Sequence, residues 1–311
     1  NSLIGLPYSM SKIIIGTRGS KLALWQAHFV QNQLQDLGVE VELKIIKTKG
    51  DVIQHLSFDK IEGKGFFTKE LEEALLSGEI DLAVHSMKDL PTIQPAGLRI
   101  AAVSYRDAPE DWLIIRKESL TEGKVLKLKT NPIIGTSSAR RKAIILTMRP
   151  DAEIKDIRGN VPTRLGKLAS GDYDAILLAG AGLSRLEIDL SDFEVIKFSP
   201  YEFVPAPAQG VLALQIRAED KRLYKLLRNL HHGDVLECTN VERKVLRLFD
   251  GGCHLPLGVY CERNEQGVFN VWAVMAEAWN APLKRVRLSS SIRTGLAEKV
   301  HQAILDAELE D

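Results

Sequence analysis

Short β-branched apolar runs alternate with helical stripes along the first two thirds of the chain. The run ending in Ile14-Ile-Gly-Thr17 reads as a strand, and Ala23, Ala27, Val30, Leu34 and Leu37 then follow helical spacing. Val39 to Ile45 alternates as a strand, and Phe67 to Leu76 reads as an amphipathic helix. The same tetrapeptide returns as Ile133-Ile-Gly-Thr136, again ahead of a predicted helix, this one closed by Pro150. A second echo pairs Ser77-Gly-Glu-Ile-Asp-Leu-Ala-Val84 with Ser170-Gly-Asp-Tyr-Asp-Ala-Ile-Leu177. Both copies read as a helix end with glycine at the stop, then a buried strand. Two echoes in one order predict twin α/β lobes of related topology. The last third differs. Val241, Val245, Leu248 and Phe249 form one helical stripe stopped by Gly251-Gly252. Strands follow at Leu257 to Tyr260, Val268 to Met275 and Val286 to Leu288, then a helix from Leu296 to Leu309. This predicts a small α+β domain from near residue 219, entered through the proline-rich crossover Pro200 to Pro207.

A length of 311 residues agrees with such a division, since it suggests roughly two domains or three small ones. Hydrophobic residues at 45% and charged residues at 26% are ordinary for a globular chain. Lys and Arg number 41 and Asp and Glu 41, so the net charge is zero, which argues against a general nucleic-acid or membrane-surface binder. No apolar window approaches the ~18 residues of a spanning helix. The first residues lack a basic stretch followed by a long apolar one, and residues 1–9 are expected to be an expression remnant ahead of Met10. Three sparse cysteines, without Cys-x-x-Cys or a histidine at ligand spacing, exclude a disulfide framework and argue against zinc. The expectation is a cytoplasmic protein with no metal.

In each repeat a strand runs into a turn of small hydroxyl residues and then a helix. Thr17-Arg-Gly-Ser20 and Thr136-Ser-Ser138 would therefore offer N–H groups, hydroxyls and a helix dipole to an anion, with Arg18 beside the first and Arg140 and Arg141 beside the second. Ser20 and Ser138 read equally well as ordinary N-caps. Arg158, Arg164 and Arg185 are expected at further strand-to-helix turns, where open α/β sheets bind ligands. Arginine forks suit carboxylates or phosphates, and without a nucleotide motif the pattern suggests a substrate with several carboxylates. The acidic residues are expected to crowd elsewhere, as in Glu308 to Asp311. His85-Ser-Met-Lys-Asp-Leu-Pro91 places Ser86, Lys88 and Asp89 at a strand's carboxyl end; Asp89 reads as a general acid/base or counter-charge, or as a turn cap or partner of Lys88. Lys64 lies in a second glycine-bearing basic turn. Cys253, in Gly251-Gly-Cys-His-Leu-Pro-Leu-Gly258, reads either as a small hydrophobe or as a nucleophilic or covalently modified thiol. Cys238 and Cys261 read as structural.

Together these segments resemble the porphobilinogen deaminases, also called hydroxymethylbilane synthases. The resemblance runs from Ile13 to the last helix. It rests on Thr17-Arg-Gly-Ser-Lys-Leu-Ala-Leu24, Lys64-Gly-Phe-Phe-Thr-Lys-Glu-Leu-Glu72 and the His85 to Pro91 segment. Gly135-Thr-Ser-Ser-Ala-Arg-Arg141, Ile157-Arg-Gly-Asn-Val-Pro-Thr-Arg-Leu165, Pro205-Ala-Pro-Ala-Gln-Gly210 and the Cys253 turn continue it. Ala208 departs from an expected glycine, and Asp107-Ala-Pro-Glu-Asp111 from the usual Asp-Pro-Arg-Asp.

The resemblance implies two periplasmic-binding-protein-like α/β lobes around a cleft, plus the small α+β domain. Lobe 1 would comprise 10–106 and 206–218, lobe 2 107–205, and the cysteine-bearing domain 219–311. It implies a monomeric transferase that joins four porphobilinogen molecules head to tail into a linear tetrapyrrole and releases ammonia. It also implies a dipyrromethane primer held through a thioether to Cys253. Ser86, Lys88, Asp89, Thr136, Ser137, Ser138, Arg140, Arg141 and Arg158 would hold that cofactor. Arg18, Ser20, Lys64, Arg158, Arg164, Arg185 and Gln209 would bind substrate, and Asp89 would be catalytic. Two rivals stand beside this reading: a non-catalytic two-lobed polycarboxylate binder, and a different thiol enzyme using Cys253.

Overall fold

The computed structural model describes residues 12–48, 68–250 and 254–309. Its first sheet contains β1 (Ile13–Thr17), β2 (Val41–Ile45), β3 (Leu82–Ser86), β4 (Leu98–Val103) and β10 (Leu212–Arg217), in the order β2-β1-β3-β10-β4. The second contains β5 (Asp111–Arg116), β6 (Ile133–Gly135), β7 (Glu153–Lys155), β8 (Ala175–Ala179) and β9 (Phe193–Lys197), in the order β7-β6-β8-β5-β9. The orders correspond position for position. In each sheet the three strands at one end are parallel, and a fourth enters antiparallel from the far side of a crossover: β10 beside β3, and β5 beside β8. The repeated tetrapeptide thus falls at β1 and β6, the equivalent places. Its glycine has a packing reason in both. A Cβ on Gly16 would lie 2.2 Å from Ile80 Cδ1, and one on Gly135 would lie 2.7 Å from the Tyr173 ring.

Helix α1 (Lys21–Asp36) begins at Ser20, whose hydroxyl accepts the Ala23 N–H at 3.3 Å. It lays Ala27, Val30 and Leu34 on Ile13, Ile15, Val41 and Val84. Helix α2 (Lys69–Ser77) covers the other face with Leu71, Ala74 and Leu75. In the second lobe, α3 (Ala139–Met148) supplies Ala143, Ile144 and Ile145 to one face, while α4 (Val161–Ala169) and α5 (Gly180–Arg185) cover the other with Leu165, Leu168 and Leu183.

Helix α6 (Lys221–Leu227) buries Leu223, Leu226 and Leu227 in the first lobe's core, so by packing it belongs there and not with the unit expected from residue 219. The third unit begins with α7 (Gly233–Leu248). Strands β11 (Leu257–Arg263), β12 (Phe269–Met275) and β13 (Lys284–Ser290) form an antiparallel meander, closed by α8 (Leu296–Asp306). Val241, Val245, Val300 and Ile304 of the two helices pack on Val259, Val271 and Ala273. The opposite face of the sheet places Tyr260 and Val274 in the second lobe's core. Val235 and Leu236 of α7 meet Met87, Leu90 and Ala208 of the first. Among the described residues no helix is long and apolar enough to cross a membrane.

Candidate active site

On the first lobe, β3 runs into a single 3₁₀ turn, Met87–Asp89. Met87 and Leu90 are buried and anchor the turn; between them Lys88 is half-buried and Asp89 exposed. Strand alternation divides the residues before it. Ser86 accepts a hydrogen bond from Gln26 Nε2 at 3.0 Å, whereas His85 points into the core, 2.9 Å from Gln215 Oε1. Burial lowers the imidazole pKa to about 4, against the partly opposing bond to Gln215. Gln215 also donates to Glu72 Oε1 at 3.1 Å and to Gln94 Oε1 at 2.8 Å. Arg18 is half-buried at the end of β1, next to the capping Ser20.

On the second lobe the hydroxyls organise the start of α3. Ser138 caps it by accepting the Arg141 N–H at 3.3 Å, and Thr136 Oγ1 accepts the Ser138 N–H at 3.2 Å. Ser137 donates to the Ile157 carbonyl at 3.0 Å and accepts its N–H at 3.1 Å, joining this turn to the one that carries Arg158.

The acidic residues are not elsewhere, which corrects the expectation from sequence. Asp111 opens β5 with no exposure and binds both α3 arginines. Arg140 Nη1 lies 2.6 Å from Oδ2, and Arg141 Nε lies 2.9 Å from Oδ1. Gln209 Nε2 donates to the same Oδ1 at 3.1 Å and to the Pro109 carbonyl at 2.8 Å. Burial would raise the Asp111 carboxyl, but the two guanidinium charges outweigh it and hold the group below the usual carboxylate range. Arg185 is the last residue of α5 and not part of a strand-to-helix turn. It donates from Nε to Asp107 Oδ2 at 3.2 Å and from Nη2 to the Gly210 carbonyl at 3.0 Å, with its guanidinium carbon 5.7 Å from the centre of the Trp25 ring. Asp107 and Asp111 are the residues that sequence reasoning misses. Their available signal is two carboxylates in the chain between the lobes, at the segment that departs from the resembled pattern.

Electrostatics connects the two lobes. Burial lowers the Lys88 ammonium to about 8; Asp89 opposes the shift, while Arg141 and Arg140 across the lobe boundary add to it. Arg164, in the first turn of α4, donates from Nε to the Gly159 carbonyl at 2.7 Å. Burial lowers it to about 10, with help from the like charges of Arg141 and Arg158. Lys88, Arg140, Arg141, Arg158 and Arg164 thus form one positive field, with Asp89 and Asp111 set in it. Such a field attracts a polyanion.

Lys64 and Cys253 lie outside the described residues. Cys238 and Cys261 are buried in the third unit's core, where the adjacent Cys238 and burial push the Cys261 thiol up, keeping it protonated.

A family model described as "Porphobilinogen deaminase, dipyromethane cofactor binding domain" matches residues 13–225. The chain belongs to the porphobilinogen deaminase family. The porphobilinogen deaminase of Maridesulfovibrio salexigens is 44% identical over 256 residues, covering 81% of each chain. That of Lawsonia intracellularis is 41% identical over 285 residues, covering 91% of this chain and 90% of its own. That of Bacillus cereus is 44% identical over 270 residues, covering 86% and 85%. Solved structures overlap more loosely: the periplasmic VFT2 domain of Bordetella pertussis BvgS aligns at a TM-score of 0.42 with 12% identity, over 70% of this chain and 86% of that one. That overlap adds nothing to the fold, which the strand orders establish by themselves.

The donor set fits the family's cofactor. A dipyrromethane carries two carboxylates on each ring, and the charges that disfavour the Arg164 cation, those of Arg141 and Arg158, are the ones such carboxylates would offset.

Proposed function

We propose that this enzyme joins four porphobilinogen molecules head to tail into hydroxymethylbilane, releasing ammonia at each addition, on a dipyrromethane held by a thioether to Cys253. The observation that carries the reading is that Lys88, beside Asp89 on one lobe, lies within electrostatic reach of Arg140 and Arg141, which the buried Asp111 holds on the other. The cofactor, when bound, supplies the free pyrrole carbon to which the first substrate is added.

Ser86, Lys88, Asp89, Thr136, Ser137, Ser138, Arg140, Arg141 and Arg158 are assigned to that cofactor. Arg18, Ser20, Lys64, Arg158, Arg164, Arg185 and Gln209 are assigned to the substrate and the growing chain. Arg140, Arg141 and Arg185 contribute while holding Asp111 and Asp107, so their charge acts from a fixed frame, and Gln209 is fixed as an amide donor to Asp111. Asp89 stands exposed on a short turn, where its carboxylate can accept hydrogen bonds from pyrrole N–H groups. There it faces the positive charge that develops as the substrate's carbon–nitrogen bond breaks and ammonia leaves. The same carboxylate is placed to take the proton lost from the attacking pyrrole carbon when the new carbon–carbon bond forms. We assign 107–205 to one lobe, the flanking segments that build the first sheet to the other, and the Cys253-bearing remainder to a third domain. A monomeric state and a cytoplasmic location complete the proposal.

Intact-protein mass spectrometry tests it. Wild type should carry an excess of two pyrrole units that Cys253→Ser lacks; an unmodified protein that still turns over porphobilinogen would overturn the reading.

A further inference from the structure

Arg243 of α7 reaches out of the third unit into the first lobe. Its Nη1 donates to the carbonyls of Met87 at 3.0 Å and Leu90 at 2.8 Å, and its Nη2 to that of Pro91 at 2.7 Å. These three acceptors bracket the turn that carries Lys88 and Asp89. A 3₁₀ turn this short has little stability of its own; here its closing bond, Leu90 N–H to the Met87 carbonyl, measures 3.2 Å. Burial of Met87 and Leu90 and the bond of Met87 N–H to the Val211 carbonyl hold its ends, and the guanidinium adds three bonds to the carbonyls at and just beyond them. Arg243 is buried and makes no ion pair among the described residues, and burial lowers its pKa to about 10. A buried cation without a carboxylate is costly, so the arrangement is not one that packing alone would select.

The neighbouring residue holds the other side. Glu242, with no exposure, accepts from Arg106 Nη1 at 2.6 Å, the Ala208 N–H at 2.6 Å and the Cys261 N–H at 2.8 Å. One turn of α7 therefore grips both crossover segments and the Asp89 turn, and the same helix leads into the segment that contains Cys253.

We propose that Arg243 is a positioning residue for the reaction: it fixes the Asp89 turn relative to the helix leading to the cofactor cysteine. This rests on the reading of Asp89 and Cys253 given above. The planar fork is essential to the role, because it spans three carbonyls that a lysine ammonium cannot reach together.

The test compares Arg243→Met and Arg243→Lys with wild type, each purified as holoenzyme and checked by intact mass. Both should carry the two pyrrole units. Their kcat should fall about tenfold to a hundredfold, as expected of a small misplacement of a reacting group. KM should stay within about threefold, since the arginines assigned to the substrate are untouched. The loss should also depend on Asp89. In an Asp89→Glu background, where the carboxylate is already displaced, Arg243→Met should cost less than about threefold. If Arg243→Met does not fold, Arg243→Lys decides by the same measures. Wild-type kcat in a folded, loaded variant overturns the proposal, and so does an equal loss in the wild-type and Asp89→Glu backgrounds. Wild type without the two-pyrrole excess would instead overturn the function reading beneath it.

Discussion

Arg140 Nη1 and Asp111 Oδ2 lie 2.6 Å apart, both residues shut off from solvent, where the start of α3 meets the chain that crosses between the lobes. Asp111 is shared with Arg141 and Gln209. One carboxylate between two guanidiniums leaves a unit of positive charge uncompensated. The pairing therefore does two things: it holds the arginines in place and leaves them attractive to an anion.

Asp111→Asn should accordingly destabilise the protein by about 3–5 kcal/mol, because removing one partner strands buried charge. Urea unfolding would show it as a lower midpoint with an unchanged slope. A loss below about 1 kcal/mol would mean that solvent, not Asp111, satisfies the arginines.

The paired β-branched runs and glycine stops carry much of the fold in local residues. β1 and β6 sit where the repeated tetrapeptide predicts, and the meander of the third unit follows its alternation. Long-range pairing leaves no such trace. Arg140 and Asp111 are 29 residues apart, Arg185 and Asp107 are 78 apart, and the pairing of β5 with β8 in the second lobe brings them together. Helix α6 shows the same limit. Its Leu223, Leu226 and Leu227 would suit either neighbouring core, and the sequence does not say which one it joins. Ala208 shows a local rule overridden: it adopts φ +64°, where glycine was expected, with its N–H held by Glu242.

His85 makes stability depend on pH. Its pKa in the fold is about 4, below the ordinary 6.5, so below 6.5 the unfolded chain binds a proton that the fold refuses. Stability is full above 6.5 and declines as pH falls toward 4, by about 3 kcal/mol in all. Glu72 acts in the opposite direction, because burial raises its carboxyl and the fold takes up that proton first. Urea unfolding at about pH 7 and about pH 4.5 should show a decline in wild type that His85→Gln reduces by about 2 kcal/mol. Equal declines in the two proteins would remove His85 as the cause.

Lys88 makes cofactor uptake depend on pH at the alkaline end. Below about 8 its ammonium is charged and can pair with a carboxylate; above, that charge is lost. Loading of the apoprotein from porphobilinogen, two rings of which are added with loss of ammonia, followed by intact mass, should slow as pH rises through 8. Lys88→Arg stays charged and should keep its rate through the same range. A rate in wild type that does not change up to about pH 9 would exclude Lys88 from the step.

Asp89 permits the cleanest separation of chemistry from folding. Its side chain is exposed, so Asp89→Ala should leave the unfolding free energy within about 0.5 kcal/mol of wild type. The rate should behave differently. The carboxylate stands on a turn fixed by Met87, Leu90 and Arg243, and it has little freedom to compensate for a change in length. Asp89→Glu moves the charge by one methylene, about 1 Å, and should lose most of kcat, on the order of a hundredfold. Asp89→Ala removes the charge and should lose nearly all turnover, because nothing then opposes the cation formed as ammonia departs. Ammonia release and product formation should fall together in both variants, since each addition couples them. An alanine variant that is folded, loaded with cofactor and turns over at the wild-type rate would sink the assignment.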